Sequence, residues 1–462
     1  MQQRTHVRCG RLFTGLQDHA PAQHTVIVEN ARVAWTGPTA AAASMSASDI
    51  ELDYRAHFVM PGAGQHDPQM IDNHAHLSYG NALTQEDIDL YASMEFRSLR
   101  AMAAAQATLG AGFTSVLDPA CAGLVTPAVR DAVNSGLFPG PRITASGRAL
   151  TSQQGLYDWY PTWVGVPGTS TGVMASSLPQ AIDVIRTQAK DGVDAIKLTM
   201  DGIYSRQRGD LVAGYTQQET SAMVEEIHRL GKLALVHARG REGALYAARA
   251  GVDVIYHASA IDDEGIAAAL SNGCHLCPSL TLLLNNLEFH QPTDPSASWW
   301  PPIQAREMEQ ASRNLRRAHA AGVPFIMGSE AGFAVTPCGE WNAKELEAHV
   351  RFIGFTPAQA LRCATVASAK FLREAADLGG LAPGKLADMV VVNGDPLADI
   401  TTLQRAEAIH AVLLGGRPVS PAPSNWRARH ASEFSQGMWN RLYDRDTVRS
   451  QGVRRFAVEE TE

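Results

Sequence analysis

The alternation of helical and strand-like segments constrains the fold of this chain more than any other feature. A strand-like segment at 70–77 is followed by six units in which a helical run leads into a short apolar strand. The units are 86–109 into 112–119, 178–191 into 193–201, 216–231 into 233–240, 241–251 into 252–259, 262–273 into 275–283 and 303–322 into 323–332. Such alternation predicts an α/β fold with a parallel sheet covered by helices. A (β/α)8 TIM-like barrel is favoured over a doubly wound sheet, because no glycine-rich phosphate turn follows the first strand.

Both ends of the chain are rich in β-forming residues. Two short runs at 24–36 break at Glu29-Asn30, and similar runs return at 387–395 and 408–419. These runs predict one small β-sandwich domain built from both chain ends. The predicted division is therefore 1–62 for the N-terminal part of this domain, 63–372 for the barrel, 373–419 for the C-terminal part of the β-sandwich and 420–462 for a C-terminal tail, which is a candidate oligomer contact.

Composition excludes several functional classes. The 462 residues carry a formal net charge of −8 without any basic run, so we expect no nucleic-acid partner. No apolar run approaches the roughly 18 residues that span a bilayer, and no signal peptide is visible, so we expect no membrane association. Six scattered cysteines fit reduced thiols in a cytoplasmic protein. A small-molecule substrate and a homo-oligomeric state are the expected partners.

Titratable side chains gather at the ends of the predicted strands, where the functional residues of such barrels lie. They are His74, His76, Lys197, His237, His257 and Glu330. Side chains two positions apart on a strand share a face, so a His-x-His pair directs both imidazoles the same way. Imidazoles with a carboxylate suit Zn, Mn, Co or Fe with open positions for water. A single strand-end histidine is more often a hydrogen-bonded core residue, but four of them with an acid favour a metal site.

The stretch VMPGAGQHDPQMIDNHAHL at 59–77 holds further polar residues with ligand-like chemistry. Residues 63–70 of this stretch are predicted to form an inserted loop before the first barrel strand. The loop would lie at the N-terminal end of that strand, on the face of the barrel away from the predicted active site. His66 and Asp67 are therefore expected to be exposed. Asp72 is expected to support the ligands rather than to bind a metal.

Long motifs in a fixed order carry a family resemblance. MPG before the His-x-His strand is followed by VDAIKLTMDG, LVHARGREGALYAARAGVDVIYHAS and the closing LGGLAPGKLADMVVVNGDPLADI. In these motifs the chain resembles the metal-dependent amidohydrolase superfamily, in its imidazolonepropionase and Xaa-Pro dipeptidase (prolidase-like) branch. The resemblance implies that a metal-bound hydroxide attacks a carbonyl group while an acid on the eighth strand moves protons.

The same resemblance implies a ligand set. His74 and His76 would bind one metal ion, with His237 and His257 binding a second. Lys197 matches the position whose amine is carboxylated and bridges two ions. One or two divalent transition-metal ions are implied, with zinc as the first expectation.

Three positions depart from the family pattern. Glu330 in MGSEAG stands where an aspartate is usual, so a one-metal site is an open alternative. Arg239 in HARG replaces a frequent second histidine, and Cys338 in TPCG replaces another. With Tyr204, which follows the Lys197 strand, Arg239 and Cys338 are predicted to contact the substrate.

The predicted reaction is hydrolysis of a C–N bond of amide, urea or carbamate type. The substrate is expected to be small, aromatic or xenobiotic, such as a phenylurea or thiocarbamate herbicide. Tryptophans at 159, 163, 299 and 300 either wall such a pocket or form a subunit interface. An Xaa-Pro dipeptidase or N-acyl-amino-acid hydrolase is the alternative enzyme. From another class, an inactive amidohydrolase-like binding or assembly protein is the rival, which the complete histidine set disfavours.

Overall fold

A computed structural model describes most of the chain: residues 3–61, 70–202, 204–205, 210–290, 300–373, 380–420, 439, 441–452 and 456–457. The strands are β1 Thr5–Leu12, β2 Ala22–Glu29, β3 Arg32–Pro38, β4 Ile50–Pro61, β5 Met70–Asp72, β6 Phe113–Asp118, β7 Arg142–Ala145, β8 Ala149–Thr151, β9 Gly172–Met174, β10 Ala195–Thr199, β11 Tyr204–Ser205, β12 Asp210–Leu211, β13 Leu233–Ala238, β14 Val254–His257, β15 His275–Cys277, β16 Met389–Val392, β17 Ile409–Leu414 and β18 Arg417–Val419.

Twelve α-helices are described between and after these strands. They are α1 Gln85–Asp89, α2 Met94–Gly110, α3 Val125–Asn134, α4 Leu178–Lys190, α5 Gln217–Arg229, α6 Arg241–Ala250, α7 Asp263–Asn272, α8 Thr281–Phe289, α9 Trp300–Ala320, α10 Lys344–Ala348, α11 Pro357–Arg362 and α12 Arg445–Gln451. None of these described helices is both long and apolar enough to cross a membrane.

Parallel strands close into a barrel around an apolar core. β5, β6 and β7 pair side by side, and β8 continues from β7 to pair with β10. β10, β13, β14 and β15 then follow in order. A bridge between Leu276 and Phe325 adds an eighth segment, and the Asn73 amide donates to the Met327 carbonyl at 3.0 Å to close the ring. The predicted barrel is confirmed.

The eighth barrel segment differs from its predicted form. We expected a strand over 323–332, but the residues of this segment make only isolated bridges, at Phe325 and Ala331. Pro324 has no N–H to donate to a ladder. At Gly328 an added Cβ would lie 2.6 Å from the Cβ of His74, so the backbone here lies directly against the first barrel strand. The irregular segment places Glu330 at the end of the barrel.

Two further element boundaries differ from prediction. The strand expected over 275–283 ends at Cys277, because Pro278 follows and α8 begins at Thr281. The helix expected over 86–109 is divided into α1 and α2. The Ser93 hydroxyl accepts a hydrogen bond from the Phe96 amide at 3.3 Å and so starts the second helix.

Both chain ends meet in a separate sheet. Its seven strands have the order β18-β17-β16-β4-β1-β2-β3, with β4 joining the two ends. The two β-rich runs at 24–36 form a hairpin of β2 and β3, whose turn residues Asn30 and Ala31 have φ of 53° and 63°. Two successive positive φ values are typical of the tight turn that suits the twist of a hairpin. The predicted fold class, a barrel with a small domain from both ends, is confirmed.

The described part of the C-terminal tail packs on the barrel of its own chain. The Trp439 amide donates to the Leu83 carbonyl at 3.3 Å, and the Tyr443 amide donates to the Ala334 carbonyl at 2.9 Å. The Trp341 indole N–H in turn donates to the Tyr443 carbonyl at 2.7 Å. The tail therefore braces the loop that follows the eighth barrel segment. Its role in an oligomer stays a prediction.

Candidate active site

The two histidines of the His-x-His pair follow β5 and each uses one ring nitrogen for support. His74 Nδ1 lies 2.6 Å from the Ser279 hydroxyl, and His76 Nδ1 lies 3.2 Å from the Ala120 carbonyl. These contacts fix the ring orientation and leave Nε2 of each ring for another partner. The arrangement is the one that metal-binding histidines adopt, with the second nitrogen held by the protein.

His257 and Glu330 complete a compact group with His74. Each of the three offers one ligand atom, and these atoms all lie within 4.8 Å of one another. His257 Nε2 is 3.7 Å from Glu330 Oε1. Among the described residues, neither ring nitrogen of His257 has a hydrogen-bond partner, although both are buried. A buried imidazole without a partner is costly unless something else binds it.

Lys197 stands beside this group with an unpartnered amine. Its Nζ lies 3.4 Å from the centroid of the Tyr256 ring and has no hydrogen-bond partner in the described part of the chain. The Tyr256 hydroxyl donates to the Asn73 carbonyl at 2.9 Å, which fixes the ring. Burial lowers the pKa of Lys197 to about 7. A large share of this amine is therefore neutral near neutral pH.

His237 lies next to His257 but has a different partner. The two rings are 4.6 Å apart, and His237 Nε2 is 3.2 Å from Asp201 Oδ1. Asp201 is itself held by the Gly240 amide, which donates to its other oxygen at 2.5 Å. In this geometry Nε2 of His237 faces a carboxylate rather than the compact group.

Arg239 lies between two carboxylates. Its Nη1 donates to Glu307 at 2.6 Å, and its Nη2 lies 3.3 Å from Glu330 Oε2. Glu307 also accepts from the Ser259 hydroxyl at 2.8 Å. Burial alone would lower the pKa of Arg239, but the carboxylates of Glu307 and Glu330 raise it above its usual value. The guanidinium therefore stays charged inside the barrel mouth.

Asp72 supports the site from behind, as expected from the sequence. It accepts hydrogen bonds from the His74 amide at 3.0 Å and the Ser329 amide at 2.9 Å. The Ser329 hydroxyl and the Asn342 amide group also donate to it. These bonds join the first barrel strand to the segment that carries Glu330.

Cys338, Tyr204, His66 and Asp67 were also singled out in the sequence. Cys338 is buried in an apolar cluster with side chains of α2, and its contact with the substrate stays a prediction. For Tyr204 the structure describes the backbone, in β11, and not the side chain. His66 and Asp67 lie outside the described residues.

Several residues at the site escaped the sequence analysis. Asp118 and Asp201 are strand-end acids, and the strand-end criterion that selected the histidines would have found both. Asp118 Oδ1 is 3.7 Å from His76 Nδ1. No comparable sequence pattern marks Ser279, Tyr256 or Glu307. Each of them is recognised only from its contacts in the folded structure.

The donor set fits a divalent transition metal. Burial, and then the charge of Lys197, hold the pKa of His74 well below its usual value, and burial does the same for His257. Both imidazoles are therefore neutral at physiological pH, as metal ligands must be. Neutral imidazoles with one carboxylate are ligands that Zn, Mn, Co and Fe accept.

Comparison with known proteins identifies the family. Residues 68–419 match the sequence profile of the amidohydrolase family. Over 325 residues the chain is 27% identical to the ochratoxinase of Aspergillus niger, an alignment that spans 66% of this chain and 65% of the ochratoxinase. The chain thus matches just under two thirds of that relative's length.

Solved structures share the fold. A Xaa-Pro dipeptidase with methionine bound in its active site superposes with a TM-score of 0.77 at 27% identity, covering 90% of this chain and 100% of the dipeptidase. Phenylurea hydrolase B superposes with a TM-score of 0.70 at 20% identity, covering 91% of this chain and 97% of that protein, which shows the architecture alone. Because the family profile covers most of the chain, and the barrel and the small domain agree with the fold of the solved structures, the chain belongs to the amidohydrolase family.

Proposed function

We propose that this protein is a metal-dependent hydrolase that cleaves a C–N bond of amide, urea or carbamate type in a small substrate. The compact group of His74, His257 and Glu330, with its ligand atoms within 4.8 Å, carries the proposal. The unpartnered nitrogens of the buried His257 support it, because a bound cation would satisfy them.

The residues that would hold the metal fall into two sets. His74, His257 and Glu330 suit a first ion, with His76 beside them. Lys197 and His237 would serve a second ion, the former as a carbamate. The neutral amine that the lowered pKa of Lys197 provides is the form that CO₂ can carboxylate. The contact of His237 Nε2 with Asp201 Oδ1 at 3.2 Å favours a one-ion site unless that contact rearranges.

A divalent cation in this site supplies two kinds of chemistry: it acidifies a water molecule and polarises the carbonyl group under attack. Zinc is the metal that we propose first, with Mn, Co or Fe as alternatives that the same ligands accept.

Glu330 is the proposed proton carrier. Its carboxylate lies beside His257, at the end of the barrel where the substrate would sit. It takes the proton from the attacking water and returns it to the leaving nitrogen, so the C–N bond breaks as an amine departs. Arg239 Nη2 lies 3.3 Å from Oε2 of this carboxylate.

The walls of the site favour a substrate with an apolar or aromatic part. Tyr79 stacks on His76 at 4.2 Å between ring centroids, and the partly buried Phe333 meets the same histidine edge-on at 6.2 Å. The Tyr79 and Tyr157 hydroxyls lie 2.9 Å apart. Small-molecule pockets are typically lined by aromatic and apolar side chains together with a small number of polar groups. A phenylurea or thiocarbamate herbicide is a substrate of this kind.

The predicted tryptophan wall has less support. Trp163 is 86% exposed and Trp159 is 45% exposed, so neither is packed around a closed pocket. Their alternative role, in a subunit interface, remains a proposal consistent with such exposure.

A dipeptidase or N-acyl-amino-acid hydrolase is the second candidate, favoured by the 27% identity with a Xaa-Pro dipeptidase. Such substrates carry a carboxylate that needs a cation. The guanidinium of Arg239 is engaged by Glu307 and Glu330, which weighs against this alternative.

The isosteric substitution Glu330→Gln tests the proposed function. With metal-replete protein and a panel of amides, ureas, carbamates and Xaa-Pro dipeptides, we expect the wild type to hydrolyse at least one compound. Glu330→Gln should lower kcat by about 10²–10⁴-fold, because Gln cannot accept the proton. Glu309→Gln, an exposed change on α9, is the matched control and should keep full activity. Near-wild-type turnover by Glu330→Gln would contradict the proton-carrier role.

A further inference from the structure

Glu330 carries its carboxylate on a long side chain at an unusual backbone position. Its φ is 59°, in the left-handed region that glycine favours. Glutamate has one more rotatable bond than aspartate, so its carboxylate samples more positions unless neighbours restrain it. The two oxygens have different neighbours: Oε1 lies 3.7 Å from His257 Nε2, and Oε2 lies 3.3 Å from Arg239 Nη2.

Arg239 is itself held on its other side. Its Nη1 donates to Glu307 of α9 at 2.6 Å, and Glu307 also accepts from the Ser259 hydroxyl at 2.8 Å. The planar guanidinium has donors pointing in fixed directions, so fixing one end on Glu307 fixes the direction of the other. A continuous polar connection therefore runs from the outer helix through Arg239 to Glu330.

We propose that Arg239 and Glu307 form a positioning pair that holds the Glu330 carboxylate toward His257 in the metal site. The proposal deepens the proposed function and rests on it, since it takes Glu330 as a ligand. It gives Arg239 a role toward the enzyme's own carboxylate instead of a substrate group. Groups that hydrogen-bond a metal-binding carboxylate set its orientation, and their loss typically costs about 10–100-fold in metal affinity or activity.

Zinc affinity tests the pair without any substrate. The Zn²⁺ dissociation constant of metal-free full-length protein is measured by competition with a chromophoric chelator. Arg239→Lys keeps the positive charge but cannot span two carboxylates, and Glu307→Gln weakens the hold on the guanidinium. Both variants should bind Zn²⁺ about 10–100-fold more weakly than the wild type.

Two exposed residues provide matched controls. Arg241→Lys changes a side chain whose partner, Asp262 at 3.3 Å, is also partly exposed. Glu309→Gln removes a carboxylate from the same helix as Glu307. Both controls should retain the wild-type dissociation constant.

Repeating the comparison in the Glu330→Asp protein separates a positioning role from a general structural role. In Glu330→Asp the side chain is shorter by about 1.5 Å, so its carboxylate no longer reaches Arg239. Adding Glu307→Gln should therefore weaken Zn²⁺ binding less in this background than in the wild type. Equal losses in both backgrounds, or unchanged affinity in both Arg239→Lys and Glu307→Gln, would overturn the proposal.

The outcome also distinguishes this proposal from the proposed function. A wild type that binds Zn²⁺ but hydrolyses no compound in the panel would contradict the function and leave the affinity comparison intact. A wild type without affinity for Zn²⁺, Mn²⁺, Co²⁺ or Fe²⁺ would overturn both.

Discussion

The contacts of each ring nitrogen determine which histidines of this protein suit metal binding. His74 and His76 use Nδ1 for a hydroxyl and a carbonyl, so Nε2 is left for a ligand. His237 uses Nε2 for Asp201. His349 is fully buried, and neither of its nitrogens has a hydrogen-bond partner among the described residues. His74 and His76 therefore suit metal binding, whereas His349 should affect only stability.

His349→Phe is predicted to make the protein less sensitive to acid. Burial lowers the pKa of His349 from 6.5 to about 3. As pH falls below 6.5, the unfolded chain takes up a proton that the folded chain cannot, so wild-type stability declines from that pH down to about pH 3. At pH 5 the decline from this residue is about 2 kcal/mol. Phenylalanine keeps the stacking on Phe355, whose ring centroid is 5.4 Å away.

Urea unfolding at pH 8 and pH 5 measures this effect. Between pH 8 and pH 5 the free energy of unfolding of the wild type should fall by about 2 kcal/mol more than that of His349→Phe. The nearest titratable neighbour, Glu345, is present in both proteins, so its contribution is shared. An equal loss in wild type and variant would show that His349 is not held in its neutral form.

Secondary-structure elements were predictable from sequence where their pattern is local. The helix predicted over 178–191 is observed at Leu178–Lys190, and the strand predicted over 193–201 at Ala195–Thr199. The irregular path of the eighth barrel segment was not predictable from sequence, because it depends on the close contact of Gly328 with His74. The strand-end histidines could be found by the same local criterion. The partners that orient them come from distant segments, as Ser279 does for His74, and carry no local signal.

The C-terminal tail is an element whose packing can be tested directly. Trp439 is buried, its indole N–H donates to Asn286 at 2.7 Å, and its ring meets Phe333 at 5.3 Å. Trp439→Ala should lower the free energy of unfolding by about 3 kcal/mol, the cost of removing a large buried side chain. Trp163→Ala, at a site 86% exposed, should change it by less than about 0.5 kcal/mol. Equal stability of both variants in urea unfolding would show that the tail does not pack on the barrel.

At the scale of the whole molecule, the fold gathers the proposed ligands from five separate barrel segments into one site, with Glu330 coming from the eighth segment. His74 follows β5, Lys197 lies in β10, His237 in β13 and His257 at the end of β14. The proposed ligands thus come from segments spread between residues 74 and 330, and they meet only when the barrel is folded. Metal binding should therefore stabilise the entire fold and be lost on unfolding.

The central claim is that these converging residues hold a catalytic divalent metal, and metal content tests it most directly. Full-length protein purified without chelators is assayed by elemental analysis, alongside His257→Ala, and turnover is followed before and after dialysis against a chelator. We predict one or two transition-metal ions per chain in the wild type, loss of turnover with the metal, recovery on adding Zn²⁺, and no stoichiometric metal in His257→Ala. A wild type that turns over its substrate at full rate without any bound metal would contradict the account.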